Sequence, residues 1–163
     1  MSRKSAPPPA ARAKAQPKRA EFWTLPLTSL NPTEWEALCD GCGKCCLNKI
    51  EYEDNGEVDF TRVACRLLDG DSCQCTHYEN RHQFVPDCVV LTPKNIKDIA
   101  YWMPGTCAYR LRFQNQPLYD WHPLISGDPA SVHLAGQSVQ GWTVSEMEVS
   151  EDDWEDYIIE DLS

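Results

Sequence analysis

Residues 38–48 read "LCDGCGKCCLN", which places four cysteines within eight positions. Cys39, Cys42 and Cys45 recur every third residue, and Cys46 follows its neighbour directly. A two-residue gap lets a tight turn aim both thiolates at one ion while backbone N–H groups point at the sulfurs. Gly43, just after Cys42, supplies the unusual φ angle and close backbone approach that such a turn needs. Cys46 does not join Cys45 easily on one ion, because successive side chains diverge. Adjacent cysteines more naturally serve two metals, or one of them bridges. The stretch therefore predicts a cluster or a pair of sites.

Five further cysteines follow: Cys65, Cys73 and Cys75 in a C-x-C loop, then Cys88 and Cys107. A second all-cysteine tetrahedral site needs four thiolates, and five are available. Nine is an odd number, and a vicinal Cys45–Cys46 bridge would be strained, which argues against a disulfide scaffold. Residues 1–20 contain no Leu, Ile, Val or Phe, so they lack the apolar stretch of a secretory signal. No run approaches the roughly 18 apolar residues of a membrane span. The expected location is the cytoplasm, whose reducing conditions keep thiols free and point to metal or catalysis before disulfides. Soft thiolate ligands suit zinc, an iron–sulfur cluster or, as an outsider, copper(I). Bacterial ferredoxin spacing is not matched at the fourth cysteine.

The 163 residues carry a formal net charge of −10, unevenly spread. Residues 1–20 hold six basic residues and no acidic one, and residues 146–163 hold nine acidic residues and no basic one. The body between them is acidic, which disfavours a phosphate-backbone partner. Of its basic residues, Lys44, Lys49, Arg62, Arg66 and Arg110 lie within three positions of a cysteine, where positive charge favours the thiolate.

Three regions are expected: a disordered basic Pro/Ala-rich tail over 1–20, a cysteine-cluster metal-binding domain over 21–145, and an acidic C-terminal helix over 146–163 packed on it. "NPTEWEAL" predicts a helix start, with Asn31 as cap, Pro32 first and Glu34 at capping-box spacing. Asn55-Gly56 between alternating segments predicts a β-hairpin. "THYENRHQF" predicts one or two helical turns. Further helices are expected from Pro93 to Trp102 with Thr92 as cap, over "TCAYRLRF", and over "DPASVHLA" with Asp128 as cap. The terminal helix would be capped by Ser150 and present Trp154, Tyr157, Ile158 and Leu162 on one face. Elements this short leave a thin core, which bound metal commonly staples. The fold class is α+β: a small, loop-rich single domain with short helices and a β-hairpin around a cysteine-ligated metal centre.

"CDGCGKCC", "CRLL", "CQCTHYENR", "VPDC" and "PGTCAYRL", in that order, resemble the YcgN family of uncharacterised bacterial cysteine-cluster proteins. That group falls within a broader C-x-x-C-x-x-C-C domain described as zinc- or iron-chelating. The resemblance covers residues 22–160. It implies that Cys39, Cys42, Cys45, Cys46, Cys65, Cys75 and Cys88 match the broader domain, and that Cys73 and Cys107 match only the closer family. In the broader Tyr-x-x-Arg-Pro pattern, Tyr78 and Arg81 are present, but His82 stands in place of the proline.

Among other chemistries, a nucleophilic cysteine with His77, His82, His122 or His133 as base is an open alternative, and His77 or His82 could replace a thiolate. No H-E-x-x-H, G-x-S-x-G or phosphate-cradling loop occurs, so no catalytic motif is recognised. "YDWHPL", residues 119–124, reads as packed aromatics before a recognition patch. The sequence thus predicts a cytoplasmic protein binding zinc or iron through all nine cysteines, with an iron–sulfur redox protein or enzyme as the alternative. The expected partner is a metal ion; a protein partner is left open, and neither nucleic acid nor membrane is expected.

Overall fold

Helix α1, Pro32–Ala37, starts where the chain's local chemistry says it must. Asn31 accepts from the Glu34 N–H, Glu34 accepts from the Asn31 N–H, and Pro32 supplies a helical φ at the first position. This computed structural model describes residues 16–160 and 162. The expectation for residues 1–15 lies outside the described residues. Within the rest of the expected tail, the Pro17 carbonyl accepts from Asn31 Nδ2, and Arg19 pairs with the fully covered Glu34 at 2.7 Å.

Strands β1 (Leu47–Glu51) and β2 (Val58–Ala64) form the expected antiparallel hairpin. Its turn is wider than a two-residue Asn-Gly turn. The Tyr52 N–H donates to the Glu57 carbonyl across four intervening residues, and only Gly56 is left-handed, at φ 71°. Asn55 instead accepts from the Glu57 N–H.

Pro93–Trp102 does not form one helix. Thr92 does accept from the Asn95 N–H, but α2 spans only Ile96–Ile99 and tightens into a 3-10 turn, Ala100–Trp102. Helix α3, Ala108–Phe113, follows the stop at Pro104-Gly105. A helix not read from sequence, α4 (Pro123–Ser126), precedes α5 (Ser131–Leu134). Asp128 spends its side chain on the Ala130 N–H, so α5 begins later than its cap signal implied. A two-residue strand β3, Val144–Ser145, pairs parallel to β2 and completes a three-stranded sheet in the order β1-β2-β3.

The C-terminal segment corrects another expectation. Glu151–Tyr157 is a 3-10 helix, and Ser150 makes no side-chain cap. Glu151 and Glu155, like Asp152 and Asp156, would repel at i,i+4 in an α-helix. The tighter coil ends in an antiparallel bridge between Ile158 and Thr61 of β2, with the Ile159 N–H donating to the Phe60 carbonyl.

Two small cores result. One packs Trp35 and Leu38 against Ile96, Met103, Ala108 and Tyr109; the other packs Leu47, Phe60 and Ala64 against Cys73 and Val139. A fully buried Leu contributes about 2 kcal/mol, so neither cluster is a large reserve. The loop carrying Cys39 to Cys46 runs from the first core to the second. Among the described residues, no helix is long and apolar enough to cross a membrane.

Candidate metal centre

The Cys39–Cys46 loop is built by its glycines and by Asp40. Gly41 and Gly43 are both left-handed, at φ 77°. The Gly41 N–H approaches Cys39 Sγ and the Lys44 N–H approaches Cys42 Sγ, each at 3.4 Å. Asp40 Oδ1 accepts from the Cys42 N–H at 3.0 Å. These are the backbone-to-sulfur contacts that a thiolate knuckle uses. A β-carbon on Gly43 would meet Val139 Cγ2 at 2.8 Å and Cys73 Cβ at 3.1 Å, so only glycine fits against the second core.

Six cysteines from separated parts of the chain, Cys39, Cys45, Cys46, Cys65, Cys75 and Cys88, line one cavity of about 520 Å³. Secondary structure puts them there. The Cys65 N–H donates to the Cys46 carbonyl at 2.8 Å, extending the β1–β2 ladder. Leu68, whose N–H donates to the Cys65 carbonyl, bridges antiparallel to Cys75. Cys88 is presented by a turn whose own N–H donates to the Val85 carbonyl. Solvent reaches Cys39 and Cys45 inside the cavity, and all nine cysteines are free thiols.

The remaining three cysteines do not line that cavity. Cys42 and Cys107 are buried, Cys107 among the side chains of the first core. Cys73 belongs to the second core, with φ 61°, and its sulfur accepts from the Ser138 hydroxyl. Cys75 is two residues away yet faces the cavity. Nor do the histidines supply the cavity with ring donors. His122 is buried, its Nε2 against the Leu38 carbonyl at 2.8 Å and its Nδ1 accepting from the Leu124 N–H. His133 pairs with Ser138, His77 with Thr76, and His82 reaches the Cys88 carbonyl rather than a sulfur.

The donor set suits a soft or borderline metal, since it consists of thiols. Its spacing does not suit a lone ion as the walls stand. Among the described residues, no three Cys, His, Asp or Glu side chains are grouped so as to hold a metal ion. A single zinc reaches its thiolates at about 2.3 Å. A cavity this wide fits a larger or multiple centre, or one that draws its walls inward on binding.

Charges around the thiols are arranged unequally. Cys46 donates to Cys45, which lowers the Cys45 pKa and raises that of Cys46. Lys49 Nζ donates to the Cys45 and Leu47 carbonyls at 3.1 and 2.8 Å and lies 3.6 Å from the Trp102 ring centroid. Burial lowers its pKa to about 8, against the pull of Cys45 and Cys46. Lys44 Nζ donates to Thr106 Oγ1 at 3.0 Å, beside Cys107. Arg66 lines the cavity but is paired with Glu146 at 2.9 Å. Arg62 and Arg110 do less than their sequence positions promised: Arg62 faces the Tyr157 ring, and the Arg110 guanidinium donates to the Met103 carbonyl.

Sequence reading passed over Asp40, although it lies within the quoted motif. It is 6% exposed, and its Oδ2 has no hydrogen-bond partner. The signal was available: an acidic residue between two cysteines expected as thiolates is electrostatically unfavourable unless a cation compensates. Tyr78 and Tyr109 also line the cavity; the first donates to Glu36 at 2.7 Å and the second to the Trp35 carbonyl at 2.6 Å.

Residues 38–108 match the CxxCxxCC family, described as "Putative zinc- or iron-chelating domain". A UPF0260 protein of Rhodobacter capsulatus is 74% identical over 144 residues, covering 88% of this chain and 97% of that protein. UPF0260 proteins of Cellvibrio japonicus and Rhizobium leguminosarum are 60% and 57% identical, each over 85% of this chain and over 94% and 87% of their own lengths. No solved structure gives a significant match.

Proposed function

Taking as premise that the chain belongs to the UPF0260 family and carries its zinc- or iron-chelating domain, we propose that it holds more than one metal atom through cysteine thiolates. The observation that carries this reading is the convergence of Cys39, Cys45, Cys46, Cys65, Cys75 and Cys88 on one cavity of about 520 Å³. The ligands proposed are those six thiolates, with the buried Cys42 and Cys107 completing the set. Cys73, included by sequence reading, is left out because it packs into the second core, where no other cysteine lies. Zinc there would fix the loops to one another, and iron with sulfide would add one-electron chemistry. The width of the cavity and the Cys45–Cys46 contact favour a polynuclear centre over an isolated ion, which keeps the iron–sulfur reading in view. Lys49, beside Cys45, offsets the negative charge that clustered thiolates accumulate.

Purification without oxygen, followed by elemental analysis and an absorption spectrum, tests the proposal. More than one metal atom per folded chain is expected. A colourless zinc protein and a brown iron protein with thiolate-to-iron charge-transfer bands are the two forms it allows. A folded chain free of metal, or one whose cysteines are joined in disulfides, would overturn it.

A further inference from the structure

Resting on that reading, we propose that eight of the cysteines form two separate four-thiolate centres. One consists of Cys39, Cys42, Cys45 and Cys107, and the other of Cys46, Cys65, Cys75 and Cys88. Each takes a thiophilic metal in a centre wider than a single ion, such as an iron–sulfur cluster, and the Cys45–Cys46 peptide is the junction between them.

The second group is mounted on the sheet. Cys46 and Cys65 are joined by a backbone hydrogen bond of 2.8 Å at the end of the hairpin ladder. Cys75 is held opposite by its bridge to Leu68, and the Thr76 N–H donates to the Leu67 carbonyl at 2.7 Å. Cys88 closes the same cavity from the following loop.

The first group is mounted on the helical side. Cys39 and Cys42 stand on the loop leaving α1, and the Cys42 carbonyl accepts from the Val139 N–H at 2.9 Å. Cys107 immediately precedes α3, and the Lys44–Thr106 bond ties its neighbour to the loop. Asp40 supplies the independent observation. Its carboxylate is buried in this group, with Oδ1 used by the Cys42 N–H and Oδ2 without a partner. A buried carboxylate oxygen left bare costs several kcal/mol unless a cation is close. Lys44 is buried too and acts on Asp40 through space, yet Oδ2 keeps no hydrogen-bond partner, and a metal held by the surrounding thiolates would supply it with a partner.

Backbone placement divides the adjacent pair. Cys45 is the last thiol of the loop that leaves α1, and Cys46 stands beside Cys65 where that loop enters β1. The Cys46 thiol donates to Cys45, so the two groups meet at this junction. Cys73 packs in the second core and belongs to neither.

The test uses the full chain, prepared anaerobically and loaded with its native metal. Metal content is measured for wild type, Cys107→Ser, Cys88→Ser, the double variant and Cys73→Ser. Each of the first two substitutions should remove about half of the metal, the double variant should hold none, and Cys73→Ser should hold all. Loss of all the metal, or of none, from a single Cys107 or Cys88 variant overturns the partition. Should either variant fail to fold, Asp40→Asn leaves every thiol in place. Under a competing chelator it should alter the release rate of half of the metal and spare the other half; a uniform change in all of it refutes two centres. Metal-free wild-type protein would instead defeat the underlying reading of a metal-binding chain.

Discussion

His122→Ala probes the support beneath the cysteine loop. His122 is 2% exposed and joins two segments far apart in sequence, contacting the Leu38 carbonyl at 2.8 Å and the Leu124 N–H at 3.0 Å. Leu38 precedes Cys39, so this imidazole holds the peptide from which the loop departs. Using Nδ1 as acceptor leaves Nε2–H as donor, so both contacts need the neutral ring. Truncation removes two hydrogen bonds and leaves a buried carbonyl and amide unpaired, a loss of about 3 kcal/mol. For a chain of this size that lowers Tm by roughly 6–12 °C. The pH dependence follows from burial, which holds the His122 pKa below its ordinary value against the opposing influence of the Leu38 contact and Asp40. A depressed histidine contributes its stability in full above its unfolded value of about 6.5, and that contribution is lost as pH falls below it, at up to about 1.4 kcal/mol per unit. The gap between wild type and variant should therefore narrow from pH 7.5 to 5.5, and thiolate protonation common to both chains largely cancels in the comparison. Thermal unfolding followed by circular dichroism reads both effects. An unchanged Tm, or a gap that widens in acid, would refute the account of His122.

Gly43→Ala should cost about 2 kcal/mol or more, through its left-handed φ and the close approach of Val139 and Cys73. Gly41→Ala, at the same φ but with open space around the new methyl, should cost only about 1 kcal/mol; equal urea midpoints for the two variants would contradict the packing argument. Arg19→Ala acts on Glu34, whose pKa is held at about 2 by the Arg19 hydrogen bond. A depressed carboxylate stabilises above its unfolded value and loses that contribution as pH falls through the folded one. The variant should therefore begin to unfold at higher pH during acid titration, and an unmoved acid midpoint would argue against the pair.

What could be read from the sequence was local. The capping box of α1 needs only Asn31, Pro32 and Glu34, and it formed as spaced. The hairpin was legible from the two alternating segments around Asn55-Gly56, although Gly56 alone took the positive φ and the loop widened. The parallel pairing of β2 with β3 had no local signature, since β3 has two residues and lies about eighty positions further along. The C-x-C loop put Cys73 and Cys75 in one ligand set, and residues two apart do share a face in extended chain. The left-handed backbone at Cys73 breaks that rule, sending one sulfur to the second core and leaving the other at the cavity. Apolar spacing at Trp154, Tyr157 and Ile158 suited an α-helix, but charge repulsion and the bridge to Thr61 produced a 3-10 coil. Tertiary contacts decided these elements, and sequence spacing carries little information about them.

The position of the thiols explains why a chain with so little regular structure would depend on metal. Cys39 leaves α1, whose Trp35 and Leu38 belong to the first core, whereas Cys46 enters β1, whose Leu47 belongs to the second. Cys107 adjoins α3 on the first side, and Cys65 and Cys75 stand on the sheet side. Only short helices, a small sheet and a few buried side chains hold each cluster, and neither is the size of a core that stabilises a domain alone. In the proposed arrangement one centre holds the helical side and the other the sheet, and the Cys45–Cys46 peptide links them. Their binding energy would then be folding energy, because the unfolded chain has no preformed site. The eight-residue stretch from Cys39 to Cys46 would thus have a mechanical role besides ligation, as the segment through which metal binding on one side orders the other.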